Sequence, residues 1–423
     1  MTEMKTAPLP AGAHIAIVGA GIIGTSAAFS LRQRGYAVTL FDRAEAGRTG
    51  PSFGNAGHLA ADGIFPLASP GIGLRGLKML LTGKGPLKVP KSYLPTLTPW
   101  LWRFWRTSFG EAQEQAIAAL TQMATGTLAE TEALWGRAGM ANLLTRKPLL
   151  QLYDTEASYQ MDLPNWHRLA SAGFGSTPLD AAAIRDLEPA LAPIFPRGML
   201  SHEYGRVTDP FEVVTAMFNA AVAAGVVYER AMVDAIRHDG EDRAGVVVGG
   251  KERTFDAVLV TAGSWAKDLA TSIEDNLPVE AERGYNFTYP DYVGKLDHAI
   301  ILADRGLAVT PLSIGLRFGG FTELGGVKLP PNPRYFKAIR AQAEEVMPGL
   351  GTAEAREWMG HRPSMPDAVP VISRSTIAPR VFYAVGHGHY GLSNSAKTAK
   401  FVTELIADGA DETYRAFSIR RFN

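Results

Sequence analysis

The sequence predicts an α/β fold with some α+β character. We expect one layer of strands covered by helices and a second, separate layer of antiparallel strands. Three observations support this prediction: a strand, turn, helix and strand from His14 to Asp42, a strand, turn and helix from Val381 to Gly409, and an alternating pattern from Arg305 to Gly326. The chain of 423 residues is long enough for two or three domains that each bury a core.

The composition excludes several classes of protein. Lys plus Arg and Asp plus Glu both number 42, and no basic block is present, so nucleic acid is not an expected partner. Cysteine is absent, which excludes disulfides, thiolate metal sites and a Cys-linked cofactor. The first residues lack the basic and apolar parts of a leader, and no run of 18 apolar residues occurs. We therefore expect a cytoplasmic protein without a membrane span.

The first unit is predicted from its apolar spacing. Ile15 to Val18 is expected to form a short buried strand, and Ile22 to Arg34 has the spacing of a helix that stops at Gly35. Ala37 to Phe41 is expected to form a second strand. Strand, turn, helix and strand follow one another in the order of a nucleotide-binding unit.

A glycine fingerprint lies in the turn of this unit. Gly19, Gly21 and Gly24 form G-x-G-x-x-G, in which the glycines permit a tight turn, close approach of a pyrophosphate and close helix packing. Asp42 ends the second strand, where a carboxylate can accept hydrogen bonds from both ribose hydroxyls. A free carboxylate at this position disfavours a 2′-phosphate, which leaves FAD or NAD.

The middle of the chain is less specific. A long loop, RAEAGRTGPSFGNAGHLAADGIFPLASPG, follows Asp42 and is either an ordinary surface loop or a backbone that wraps a flat, polar-edged ring. Glu111 to Met140 is expected to form one or two scaffold helices, and strands are expected within Gly225 to Arg237 and at Phe255 to Val260. The alternating segment from Arg305 is expected to turn at Leu312 to Gly315 and again at Gly319 and Gly320, and to roof a pocket.

The C-terminal unit repeats the logic of the first. Val381 to Val385 is expected as a strand, Gly386 to Gly391 as a turn and Ser393 to Ala407 as a helix, whose N-terminus favours an anion or an electron-rich ring. His387 and His389 lie two apart, but no third ligand stands at metal-binding spacing. We therefore expect no metal site, and packing or cofactor contact for these histidines.

Together these motifs resemble the FAD-dependent amine and amino-acid oxidoreductases of the D-amino-acid oxidase family, and most closely the bacterial D-amino-acid dehydrogenases. The resemblance covers almost the whole chain, from the fingerprint through SFGNAGHLA, VTAGSWA and GHRPSMPDAVPVI to VGHGHYGLSNS. It implies a Rossmann-type FAD-binding domain from residues 12–62, 182–270 and 358–423. It also implies a substrate domain with a large mixed sheet from residues 63–181 and 271–357.

The resemblance also implies a set of cofactor contacts. Because no cysteine is present, FAD should be bound non-covalently, although a link to His58 stays open. His58 and Tyr390 would border the flavin ring or pack in the core. The family more often has Glu at the ribose position, so Asp42 has a shorter reach. The other contacts would be Gly19, Gly21, Gly24, Ala262 and Gly263 at the pyrophosphate, Asp42 at the ribose, Val233 at the adenine, Ser52, Asn55 and Gly57 at the flavin and its linker, and Gly386, Gly388 and Gly391 at the pyrimidine edge.

The implied reaction is hydride transfer from the α-carbon of a D-amino acid to flavin N5, with electrons passed to quinone or another acceptor. Such a site needs an Arg that holds the substrate carboxylate in bidentate geometry. Arg362, in G-H-R-P, matches the family position, with an interdomain salt bridge as the alternative role. Arg305 and Arg317 are further candidates, as are Tyr285, which could orient the amine or carboxylate, and His389.

Three rival interpretations remain at this stage. The first is oxidation of a secondary amine such as hydroxy-D-proline, an opine or an N-alkyl glycine, which needs the same flavin and Arg. The second is an FAD-binding subunit without catalytic activity. The third is an NAD-dependent dehydrogenase, but the βα units that would have to follow Asp42 are missing.

The aromatic segment from Tyr93 to Phe109 has two interpretations. It contains Trp100, Trp102 and Trp105 beside arginines, a combination typical of a segment at a lipid surface. The alternative is that these rings are buried, since exposed Trp side chains favour aggregation. The first interpretation predicts a peripheral enzyme on the inner face of the membrane that reduces quinone.

Overall fold

The structure is a computed structural model that describes residues 8–66, 87–240 and 242–422. Gly71 and the rest of the FPLASPG motif after Pro66 lie outside the described residues. The strands are β1 (His14–Val18), β2 (Ala37–Asp42), β3 (His58–Ala60), β4 (Leu87–Lys88), β5 (Leu144–Arg146), β6 (Leu149–Tyr153), β7 (Ser176–Asp180), β8 (Arg197–Ser201), β9 (Tyr204–Val207), β10 (Val227–Arg230), β11 (Val233–His238), β12 (Ala244–Val248), β13 (Lys251–Phe255), β14 (Ala257–Val260), β15 (Glu280–Tyr289), β16 (Ala299–Leu302), β17 (Leu307–Leu312), β18 (Gly315–Leu324), β19 (Arg356–Ser364), β20 (Val371–Arg374) and β21 (Val381–Val385).

The α-helices alternate with these strands along much of the chain. They are α1 (Ile22–Gln33), α2 (Leu94–Arg106), α3 (Gly110–Ala124), α4 (Thr127–Arg137), α5 (Glu156–Ser171), α6 (Ala181–Leu187), α7 (Pro210–Ala223), α8 (Ala266–Thr271), α9 (Pro333–Val346) and α10 (Ser395–Asp408). The α/β fold class is thereby confirmed, and the one or two helices expected between Glu111 and Met140 are α3, which begins at Gly110, and α4.

A six-stranded sheet joins both ends of the chain in the order β10–β2–β1–β14–β21–β20. All its neighbours are parallel except β20 and β21. Side chains of β1 alternate between two cores: Ile15 and Ile17 pack under α1, α7 and α10, and Ala16 and Val18 pack under α8 and the β11–β12–β13 meander. A parallel sheet covered on both faces is the architecture expected of a nucleotide-binding unit.

A larger mixed sheet forms the second layer, in the order β19–β15–β18–β17–β16–β6–β8–β7, with β4 paired to β18. Helix α9 covers one face of the neighbouring strands β15, β18 and β17. The other face of these strands is turned toward the six-stranded sheet. All strands of the six-stranded sheet lie in the ranges expected for FAD binding, whereas β8 and β19 from those ranges pair into the mixed sheet. A small sheet, β3–β9–β5, completes the fold.

The strands expected within Gly225 to Arg237 are β10 and β11, which belong to different sheets, and β11 continues to His238. One local prediction differs from the structure. The second turn expected at Gly319 and Gly320 is wrong, because β18 runs through both residues. These glycines permit close approach instead: a Cβ on Gly320 would lie 2.2 Å from Leu307 Cδ2, and one on Gly319 would lie 3.1 Å from Asn286 Cβ.

Candidate active site

A cavity of about 920 Å³ lies between the two sheets. Its wall on one side is made by the turns that follow β1, β2, β14 and β21, which are the carboxyl ends of four parallel strands. Ligands of open α/β sheets bind at this edge. The opposite wall is the face of β15, β17, β18 and β19, where glycines keep the surface flat. The turns expected to bind the cofactor and the sheet face expected to roof a pocket therefore line the same cavity.

The glycine fingerprint is packed as its sequence predicts. Gly19 has φ of +114°, and a Cβ there would lie 2.6 Å from the Thr261 carbonyl oxygen. A Cβ on Gly24 would lie 1.8 Å from the Gly19 carbonyl oxygen, so Gly24 serves helix packing and does not line the cavity. Gly21 lies on the wall, beside Ser52, whose hydroxyl accepts a hydrogen bond from Ile22 N at 3.0 Å. The N-terminus of α1 thus opens toward the cavity.

We expect Gly21→Val to yield protein that has lost its yellow colour. The nearest atom to a Cβ on Gly21 is Ser52 Oγ at 3.2 Å, so a branched side chain would fill the space into which the α1 N–H groups open. The measurement is the molar ratio of FAD to chain in purified protein, from the absorbance of FAD that is released when the protein is denatured by heating. Gly136→Val is the matched control, because no atom of another described residue outside its own helix lies within 4 Å of a Cβ there. Full FAD occupancy in Gly21→Val would contradict the assignment.

Asp42 stands at the end of β2 on the same wall. Its two carboxylate oxygens accept backbone hydrogen bonds, Oδ2 from Ala20 N at 2.8 Å and Oδ1 from Ala44 N at 3.0 Å. Each oxygen retains a further lone pair for a ribose hydroxyl. Val233, Ala262 and Gly263 line the same part of the cavity.

The loop after β2 is attached to the mixed sheet. Asn55 Oδ1 accepts from Gly57 N at 2.8 Å, which stabilises a turn in which Gly57 has φ of +73°. Asn286 Nδ2 donates to the Gly54 carbonyl at 2.7 Å, and Arg317 Nη1 donates to the Asn55 carbonyl at 2.6 Å. Ser52 and Asn55 line the cavity, whereas Gly57 lies behind it.

A buried carboxylate, Glu282, organises the substrate side of the cavity. It is 1% exposed, and its Oε1 accepts from Arg362 Nη1 at 3.0 Å, His389 Nε2 at 2.5 Å and Thr322 Oγ1 at 3.1 Å. Ser364 Oγ donates to Oε2 at 2.8 Å. Burial alone would raise the pKa of Glu282, but His389, Arg362 and Ser364 together hold it well below its usual range.

Arg362 projects over Gly284 toward the cavity. A Cβ on Gly284 would lie 2.2 Å from Arg362 Nη2, so only glycine leaves room for the guanidinium. The hydrogen bonds of Arg362 within the described residues both use Nη1, to Glu282 and to the Phe321 carbonyl at 3.4 Å. Nη2 and Nε therefore remain for a ligand, and the ion pair expected as the alternative role coexists with them.

The other predicted substrate residues are distributed differently. Arg317 and His389 line the cavity. Arg305 does not line the cavity. Its guanidinium pairs outside the cavity with Asp154 at 3.0 Å and with Glu345 at 2.7 Å. The structure therefore gives Arg305 no access to a ligand in this cavity.

Tyr285 belongs to the cavity wall, but its side chain leaves on the opposite face of β15. Its ring contacts Tyr335 and Phe336, and its hydroxyl donates to Glu323 Oε2 at 2.6 Å and accepts from Asn332 N. Alternation along the strand places Glu282, Gly284 and Asn286 on the cavity face instead. The expectation that the Tyr285 hydroxyl orients the substrate therefore conflicts with its placement.

The C-terminal turn contributes two histidines with different surroundings. His387 is buried and its Nε2 lies 2.9 Å from Thr398 Oγ1, and burial lowers its pKa to about 3. His389 turns the other way, toward Glu282. No group of three His, Asp or Glu side chains within the described ranges is arranged to hold a metal. Gly386 has φ of +86° beneath the turn, and Gly388 and Gly391 line the cavity.

His58 and Tyr390 both line the cavity. His58 Nε2 lies 2.7 Å from Thr310 Oγ1, and burial lowers the pKa of His58 to about 4, so the ring is neutral at neutral pH. Burial, with Asp62 nearby, raises the pKa of Tyr390 to about 12. The ring of Tyr390 packs on Gly63, where a Cβ would lie 2.4 Å from Cε1.

The fold and cavity define the class of FAD-dependent oxidoreductases with a Rossmann-type sheet facing a mixed sheet. The chain belongs to the DAO family, whose model, described as FAD dependent oxidoreductase, matches residues 14–405. It is 33% identical over 421 residues to a D-amino-acid oxidase of Bradyrhizobium diazoefficiens, covering 98% of this chain and 100% of that one. It is 27% identical over 399 residues to a D-amino acid dehydrogenase of Sinorhizobium medicae, covering 93% and 96%.

A solved structure shows the same fold. Glycine oxidase from Geobacillus kaustophilus has a TM-score of 0.73 and 22% identity, with 93% of this chain and 95% of that chain covered. FAD is the cofactor of this enzyme class, and the residues present here fit it. A side chain on Gly19 or Gly24 would collide with backbone, and Asn286 Oδ1 is buried at the cavity with no partner among the described residues.

Proposed function

We propose that this enzyme oxidises a D-amino acid to an imine, which water hydrolyses to a 2-oxo acid and ammonia. The observation that carries the proposal is the guanidinium of Arg362, which faces the cavity while Glu282 accepts from Nη1, and whose Nη2 and Nε donate to no described residue. A carboxylate bound in bidentate geometry is the ligand that such an arginine recognises. The names of the two relatives support the same substrate class.

We assign the cofactor contacts to the residues of the cavity wall that faces the six-stranded sheet. Gly19, Gly21 and Asp42 would hold the pyrophosphate and ribose, and Ser52 and Asn55 the flavin end. The flavin, when bound, accepts a hydride from the substrate α-carbon. The remaining contacts would be Val233 at the adenine, Ala262 and Gly263 at the pyrophosphate, Gly388 and Gly391 at the flavin, with Gly24, Gly57 and Gly386 shaping the turns behind it.

Two side chains would hold the substrate. Arg362 binds the carboxylate, and His389, whose Nε2 is held by Glu282, presents Nδ1 to the amino group. No residue in the described part of the chain occupies that Nδ1. Gly319, which lines the cavity without a side chain, would let the substrate lie close to the sheet.

The test is the absorption spectrum of the purified enzyme before and after anaerobic addition of amino acids. We expect D-alanine to bleach the flavin and L-alanine to leave it oxidised. Bleaching only by D-proline, hydroxy-D-proline, an opine or an N-alkyl glycine would reassign the enzyme to secondary amines. No bleaching by any member of the panel would favour an FAD-binding subunit without catalysis.

We propose further that the enzyme meets a lipid surface through α2 and passes electrons to quinone. Trp102 and Trp105 are 58% and 47% exposed and stack on each other at 5.1 Å, with Arg106 exposed beside them. Aromatic rings flanked by arginines suit the headgroup region of anionic lipid. No helix of the described residues has the length and apolar character to cross a bilayer, so the contact would be peripheral.

This membrane contact predicts flotation with anionic liposomes and faster turnover with a quinone analogue than with oxygen. Trp102→Ser combined with Trp105→Ser should abolish flotation while leaving anaerobic flavin bleaching intact, because α2 lies outside the cavity lining. Fast peroxide production without liposome binding would contradict the proposal.

A further inference from the structure

Arg317 is a buried cation that makes no direct ion pair with a described residue, although the charge of Asp209 acts on it from farther away. It is 5% exposed in β18 and lines the cavity, and its Nε donates to Thr288 Oγ1 at 3.0 Å. No carboxylate oxygen of the described residues lies within 4.0 Å of its guanidinium, whereas the other buried arginine of this sheet, Arg283, pairs with Glu323 at 2.7 Å. Burial lowers the pKa of Arg317 to about 10, so the group stays charged at neutral pH.

A buried charge of this kind is costly unless something compensates it. With the described residues, Arg317 makes hydrogen bonds to a neutral hydroxyl and to the Asn55 carbonyl. Nη2 has no acceptor among the residues that the structure describes. The cavity must therefore supply the electron-rich partner when the site is filled.

Asn286 lies beside Arg317 and lacks, among the described residues, a hydrogen-bond donor for Oδ1, whereas Arg317 lacks an acceptor for Nη2. Asn286 is 6% exposed, its Nδ2 donates to the Gly54 carbonyl, and its Oδ1 is buried with no partner in the part of the chain that the structure describes. Thr288 pairs with Arg317 and Asn286 pairs with Gly319, so the two side chains leave the same face of neighbouring strands. One unused donor and one unused acceptor are thus held side by side, each anchored to the loop that follows β2.

We propose that Arg317 and Asn286 bind the pyrimidine edge of the flavin, and that the Arg317 charge stabilises the reduced cofactor. A guanidinium donates to a ring carbonyl and an amide oxygen accepts from the neighbouring N–H, which is the pattern that this edge presents. Reduction adds negative charge to the ring, so a fixed buried cation favours the reduced form. The inference rests on the flavin placement proposed above and makes Arg317 a cofactor-tuning residue.

The test is a redox titration of the holoenzyme with dithionite and reference dyes, without any amino acid. Arg317→Gln should lower the equilibrium constant for two-electron reduction at least about tenfold, which corresponds to about 30 mV. Arg317→Gln should also lower the affinity for sulfite, which adds to flavin N5, by a similar factor. That affinity is measured from the bleaching of the flavin as sulfite is added. Arg305→Gln removes the same charge outside the cavity and should change neither value.

Two further variants keep the test decisive if Arg317→Gln does not retain FAD. Arg317→Lys retains the charge and should keep most of the reduction equilibrium constant. Asn286→Asp adds negative charge at the same edge and should lower that equilibrium constant.

Unchanged potential and sulfite affinity in FAD-loaded Arg317→Gln would overturn the proposal. A raised KM with unchanged potential would assign Arg317 to the substrate carboxylate instead. Because the titration uses no substrate, its failure is distinct from failure of the D-amino-acid assignment.

Discussion

Arg362→Lys is expected to raise KM for the D-amino acid by about one to two orders of magnitude. Hydrogen bonds to charged groups are worth roughly 1.5 to 3 kcal/mol, and about 1.4 kcal/mol corresponds to a factor of ten. Lys keeps a positive charge near Glu282 but cannot donate in parallel to two carboxylate oxygens. The measurement is steady-state kinetics on FAD-loaded enzyme, with Arg305→Lys as the control.

The fold and the flavin content of Arg362→Lys should remain normal, because the lysine can still approach Glu282. A KM equal to that of the unaltered enzyme, with full flavin content, would remove the carboxylate role from Arg362. That role would then pass to Arg317, which the redox titration tests independently.

Glu282→Leu is expected to destabilise the protein by about 3 to 5 kcal/mol, the range found when a buried ion pair loses one partner. The substitution leaves the partly buried guanidinium of Arg362 without its carboxylate and removes the acceptor of His389. Glu282→Gln keeps the shape and should cost less. The measurement is the free energy of unfolding in denaturant. Glu229→Leu breaks the more exposed pair with Arg253 and should cost about 1 kcal/mol or less.

The effect of Glu282 should also depend on pH. Its pKa is lowered in the folded protein, so its stabilising contribution is present above its unfolded pKa of about 4.3 and is lost as the pH falls below it. The difference in unfolding free energy between the unaltered protein and Glu282→Gln should therefore shrink in acid. A difference that stays constant from neutral pH to pH 3 would show that the charge of Glu282 contributes nothing to stability.

The nucleotide end was predictable because its signals are local. Gly19, Gly21, Gly24 and Asp42 lie within one strand, helix and strand, and each has a conformation or contact that its residue type dictates. The same holds for the C-terminal unit, where strand Val381–Val385 was predicted at its observed bounds.

The substrate side was less predictable because its geometry depends on pairing between distant strands. Glu282 meets Arg362 from a neighbouring strand and His389 from the C-terminal turn. Nothing in the sequence around Glu282 indicates those partners. The sequence makes Tyr285 a candidate for orienting the substrate amine or carboxylate, but its position on the pleat turns its side chain away from the cavity. The glycine before it, Gly284, is the signal that could have corrected this, since it marks a close approach on the cavity face.

The order of strands in the six-stranded sheet also constrains how the protein is made. β14 lies between β1, from the start of the chain, and β21, more than a hundred residues after β14, and α10 packs against α1. A ribosome must therefore finish residues 381–408 before the sheet can close, and pairings of such long sequence separation form slowly. The nascent chain holds apolar strands β1 and β2 without their later neighbours for most of its synthesis. From this topology we expect the growing chain to be prone to aggregation, and the cofactor site, which includes the turn after β21, to be complete only once residues 381–408 have been made.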